Sequence, residues 1–105
     1  MSDIWLLYST FASRDEALSV ARSLLEARLV ACANVHESVT SLYRWEGEVR
    51  QETETVLLAK TQKAKLAQAM DEVKRLHSYD LPCIIAYPAG EGYLPYLQWV
   101  AEETA

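Results

Sequence analysis

The chain has 105 residues and a mass of 11.9 kDa, the size of one ordinary domain, and it reads as a single domain over residues 1–105. Half of the residues are apolar and 24% are charged, the balance of a globular fold rather than a disordered tail. Fifteen acidic against ten basic residues leave a formal charge of -5 and a pI near 4.9, which argues against sequence-independent attraction to nucleic-acid backbones or anionic lipid.

Ile4 to Thr10 is an apolar, β-rich run and predicts a first strand, central in its sheet. Ser13 and Glu16 have the spacing of a capping box, and Ala17, Val20, Ala21, Leu24 and Leu25 continue an apolar stripe to about Arg28, predicting an amphipathic helix. Leu29 to Asn34 and the alternating Val39 to Trp45 read as one second strand bent near His36 to Ser38. Glu46-Gly47-Glu48 reads as a turn and Glu52 to Thr61 as a third strand, so the two strands form a hairpin. Gln62 to Leu76 is helical by its spacing of Leu66, Ala69, Met70, Val73 and Leu76, with Thr61 as the expected N-cap. Leu81-Pro82 stops that helix, Cys83 to Tyr87 is a short strand, and a terminal helix with Pro95 in its first turn presents Tyr96, Trp99 and Val100.

The order β-α-β-β-α-β plus a terminal helix predicts an α+β fold, the ferredoxin-like sandwich with both main helices on one sheet face. Arms of around 14 residues at about 3.3 Å each make the hairpin roughly 46 Å long. A globule of this size is only about 33 Å across, from a radius of gyration of about 13 Å. The hairpin tip, with Tyr43, Trp45 and Val49, is therefore expected to lean on another copy of the chain in a closed homo-oligomer. No stretch approaches the ~18 apolar residues of a membrane span, and no secretory leader pattern opens the chain, so the expected compartment is the cytoplasm. Cys32 and Cys83 are expected as reduced, buried thiols.

Ala31-Cys32-Ala33-Asn34, Ser41 to Gly47, Glu54, Lys60-Thr61, Leu76 to Pro82 and Tyr96 to Trp99 together resemble the CutA family of divalent-cation tolerance proteins, over essentially the whole chain. The resemblance implies a tight homotrimer similar in architecture to PII-type signalling proteins, and a link to copper, Cu(II), and other divalent metals. It implies His77 as a metal ligand; Ser9 and Leu76 stand where copper-site members carry Cys and His.

The residues also permit plainer readings. His77 continues the apolar stripe of the second helix and would serve as a hydrogen-bonded helix-end histidine. His36 and Glu37 offer only two ligands at a bend. Lys60, with Tyr43, Glu54 and Tyr79, is expected to line an intersubunit cleft for a small anion or metabolite, or else to pair with a carboxylate such as Glu54. The absence of Cys-x-x-Cys disfavours a dedicated copper chaperone, and no phosphate-cradling loop, Gly-x-Ser-x-Gly or His-Glu-x-x-His motif is present, so no enzymatic turnover is expected.

Overall fold

The structure, a computed structural model, describes residues 3–105; Met1 and Ser2 of the expected domain lie outside the described residues. The apolar opening run forms β1 (Ile4–Phe11). It is followed by α1 (Arg14–Glu26), β2 (Cys32–Trp45), β3 (Glu48–Gln62), α2 (Lys63–Leu76), β4 (Ile84–Pro88) and α3 (Leu94–Glu103). The sheet order is β2-β3-β1-β4 with every neighbour antiparallel. This is the expected ferredoxin-like α+β arrangement with an added helix, and β1 is internal because its residues can be covered on both sides.

Alternation along the strands divides the sheet cleanly. Leu7 and Phe11 of β1 and Leu57 and Ala59 of β3 are fully buried against Ala17, Val20 and Leu24 of α1 and Ala69 and Val73 of α2. The α3 helix sits on the opposite face at one end. Gln62 Nε2 donates there to the carbonyls of Ala101 (3.2 Å) and Thr104 (3.0 Å), and Val100 is buried beneath it. The rest of that face is uncovered. Leu6, Tyr8, Val56 and Leu58 are half-buried, while Ile85 and Tyr87 keep 53% and 40% of their surface exposed.

The second and third strands make one long hairpin closed by Glu46 and Gly47, whose φ angles of 49° and 80° are those of a two-residue type I′ turn. Glu48 therefore starts β3 and pairs with Trp45, so β3 begins four residues earlier than the turn residues suggested. The bend falls as expected: the register shifts between His36 and Val39, and Ser38 adopts φ 60° at this bulge. The hairpin stretches the molecule to 45 × 26 × 22 Å with a radius of gyration of 14.3 Å.

Two caps differ from expectation. Ser13 Oγ accepts from the Glu16 N–H at 3.2 Å, but the Glu16 carboxylate does not close the box. It accepts instead from the Ser78 N–H (2.8 Å) and the Ser78 hydroxyl (3.0 Å), tying the start of α1 to the α2–β4 loop. At α2 the N-cap is Gln62, without a side-chain cap bond, and not Thr61. Thr61 pairs with Trp5 in the β ladder, which keeps it extended and turns its side chain into the core, where Oγ1 has no hydrogen-bond partner among the described residues. The α1 helix ends in a Schellman arrangement: Leu29 N–H donates to Leu24 O (2.9 Å) across Arg28, which holds φ 59°.

Candidate functional site

The outer part of the hairpin, beyond the bulge, and the loop before β4 flank an open cavity of about 800 Å³ on the uncovered sheet face. Strand pairing builds its floor. Beyond the bulge, Ser41 lies opposite Glu52 and Tyr43 opposite Arg50, so the side chains of one face of β2 and β3 form two adjacent rows. Tyr8 and Thr10 of β1 extend the floor, and Tyr79 to Cys83 form the wall, with Pro82 fixing the loop's approach to β4.

Two phenols are tied to two carboxylates. Tyr79 donates to Glu54 Oε2 at 2.8 Å, and the Tyr43 hydroxyl donates to Glu52 Oε1. Burial, then the hydrogen bond to Glu54 and the charges of Glu54, Glu52 and Glu16, push the Tyr79 phenol well above its ordinary range. The bond to Glu52, with some burial, raises Tyr43. Burial foremost, with Glu54 among the nearby charges, also raises Tyr8 and the Cys83 thiol. Glu52, Glu54 and Asp80 face a single cation, Arg50, whose guanidinium lies 4.0 Å from Glu48 outside the cavity. Carboxylates thus outnumber cations among the lining residues, which gives this part of the surface a negative charge.

Of the residues expected at a ligand cleft, Tyr43, Glu54 and Tyr79 are brought together, and Lys60 is not. Lys60 shares the sheet face with Glu54, but six strand residues separate them by about 20 Å. Its Nζ donates within the chain to Asn34 Oδ1 at 2.6 Å. Glu52, Arg50, Trp45 and Tyr8 are lining residues that sequence reasoning missed. The two-residue turn at Glu46-Gly47 was the signal, because it fixes the register that sets Arg50 and Glu52 across from Tyr43 and Ser41.

His77 ends α2 with its side chain fully buried. Its ring stacks on Phe11 at 4.3 Å, Nε2 meets the Thr10 carbonyl at 2.8 Å, and Nδ1 accepts from the Tyr79 N–H at 3.1 Å. This network assigns the hydrogen to Nε2 and occupies both ring nitrogens, so the imidazole presents no free lone pair to a metal. Ser9 is buried and donates to the Cys83 carbonyl at 2.7 Å. Among the described residues no three His, Cys, Asp or Glu side chains are grouped to hold a metal ion. His36 is exposed, and Glu37 pairs with Arg14 at 3.2 Å. Both cysteines are free, but they are not core thiols. Cys83 is exposed at the cavity wall, and Cys32 is half-buried with Sγ 3.1 Å from the Tyr96 hydroxyl, because each falls on the sheet face turned away from α1 and α2 or beyond its strand end.

Comparison with known proteins places these features. The profile of the family described as CutA1 divalent ion tolerance protein matches residues 5–103. The divalent-cation tolerance protein CutA of Thermus thermophilus is 42% identical over 95 residues, covering 90% of this chain and 92% of that protein. Its counterpart from Archaeoglobus fulgidus is 41% identical over 96 residues, covering 91% and 93%, and its solved structure is described as periplasmic. The crystal structure of CutA from Xylella fastidiosa superposes with a TM-score of 0.95 at 34% identity, over 99% of this chain and all of that one. With the ferredoxin-like sheet, the long hairpin and this match across nearly its whole length, the chain belongs to the CutA1 divalent ion tolerance family.

Proposed function

We propose that the protein acts as a homotrimer in divalent-cation tolerance, binding divalent ions such as Cu(II) weakly at carboxylate groups and serving metal homeostasis or signalling rather than catalysis. Membership of the divalent ion tolerance family carries this reading. Weak binding is supported by the donor set: Glu52, Glu54 and Asp80 supply hard oxygen ligands around the cavity, without the grouped imidazoles and thiolates that give tight copper or zinc sites. The trimer is supported by the 45 Å long axis that the hairpin gives the chain and by the apolar surface that one chain leaves uncovered, including Ile85, Tyr87 and Trp99. The compartment proposed is the cytoplasm, where Cys32 and Cys83 would stay reduced. Light scattering of the tag-free protein is expected to give three times the 11.9 kDa chain mass, and calorimetry with Cu(II) and Zn(II) a weak, poorly selective isotherm. A monomer mass, or nanomolar affinity for one metal, overturns the proposal.

A second reading has its own observation. A cavity of about 800 Å³ is far larger than a metal ion and falls in the range of small-molecule sites. On this reading the protein is a PII-like sensor whose ligand sits between subunits, with metals incidental. A metabolite panel in the same calorimeter separates the two.

A further inference from the structure

The cavity's walls are specific enough to name a ligand class, on the reading that this cavity is the ligand site. Its volume, about 800 Å³, admits an organic molecule. Tyr8, Tyr43, Trp45 and Tyr79 supply aromatic surface, and the rings of Tyr43 and Trp45 are only partly covered, at 37% and 43% exposed. Aromatic faces attract cations, Trp most strongly, and they do little for a hydrated metal ion. The carboxylates of Glu52 and Glu54 each bind one phenol hydroxyl, which orients them and leaves further lone pairs for an ammonium group. Lys60, the cation that favoured an anionic ligand, is held by Asn34 away from the cavity.

We infer that this cavity binds a small organic cation, a protonated or quaternary amine, with its charged head between Glu52, Glu54 and the faces of Tyr43 and Trp45. The upward shifts of Tyr8, Tyr79 and Cys83, in which Glu54 takes part after burial, agree with a negative potential at this wall. The selectivity has two independent sources: Glu52, Glu54 and Asp80 outnumber the lining cation Arg50 and disfavour anions, and the aromatic surface discriminates an alkylated ammonium from a bare metal cation.

Choline and its uncharged isostere 3,3-dimethyl-1-butanol are the probes, titrated calorimetrically into the full-length protein, with acetate and Mg(II) as further arms. Choline is expected to bind at least tenfold more tightly than the isostere. Glu52→Gln keeps an acceptor for the Tyr43 hydroxyl while removing the charge, and is expected to weaken choline about fivefold; Trp45→Leu is expected to do the same. Light scattering on each variant checks that assembly is unchanged. If the isostere or acetate binds as well as choline, and Trp45→Leu abolishes it, the cavity stands as the ligand site and the cation assignment falls. If choline binds equally to wild type and both variants, or if none of the four probes binds, the assignment to this cavity falls, whereas a positive result in the metabolite panel leaves the sensor reading intact.

Discussion

Replacing His77 decides whether this residue holds the fold or a metal. In His77→Ala the ring stacked on Phe11 at 4.3 Å is lost, and truncation of a buried aromatic costs about 3–5 kcal/mol. The Thr10 carbonyl and the Tyr79 N–H also lose their partner, each worth about 1–3 kcal/mol where water cannot replace it. Because Ser78 beside them is exposed, water reaches part of the gap, and the expected total lies at the low end of these ranges, about 5 kcal/mol. His77→Phe restores the stack and leaves only the two orphaned polar groups, for about 2 kcal/mol. Urea denaturation at fixed protomer concentration is the assay, since the stability of an oligomer depends on concentration. The order of stability expected is wild type, then His77→Phe, then His77→Ala, with Cu(II) affinity unchanged in the folded variants. A cost under about 1 kcal/mol for His77→Ala, or loss of Cu(II) binding in a fully stable His77→Phe, refutes the structural role.

Thr61→Val replaces a buried hydroxyl that has no partner among the described residues with a group of the same shape, and is expected to raise stability by about 1 kcal/mol in the same denaturation assay. Arg28→Gly relieves the φ of 59° at the end of α1, for a gain of about 0.5–1 kcal/mol, read as a shift in the denaturation midpoint. Alkaline pH should destabilise the protein. Tyr96 is pushed up to about 12, first by its bond to Cys32 and then by burial, and Tyr79 is raised by burial and Glu54. The folded chain therefore keeps phenol protons that the unfolded chain sheds near its ordinary value of 10.0, so this contribution is complete below pH 10 and declines through about pH 12. Tyr79→Phe and Tyr96→Phe should each flatten that limb in a pH series of unfolding curves. Glu16→Ala removes the carboxylate that accepts twice from Ser78 and is expected to raise amide exchange at Ser78 and Tyr79 more than in α1, since the tie secures the loop and the helix keeps its Ser13 cap.

Element order, strand alternation and the bend near His36 are local properties of the chain, set by apolar periodicity and by the turn residues Glu46 and Gly47. They were legible in the sequence for that reason. The hairpin's excess length was legible too, because strand rise is nearly constant. Distant pairings were decided only by the tertiary structure. Glu16 has the spacing of a capping-box residue, yet Ser78, brought beside it from 62 positions away, offers two donors to a charged acceptor where the local box offers one. Lys60 reads as a partner for a carboxylate of a neighbouring strand, and within the chain β2 supplies it with the Asn34 amide oxygen at 2.6 Å. Thr61 reads as a cap, and its pairing with Trp5 turns it inward instead. His77 reads first as a helix-end histidine and second as a ligand, and Phe11, Thr10 and Tyr79 close around its ring. In each case the sequence determined which groups a residue carries, and packing determined which of those groups remain free to bind anything.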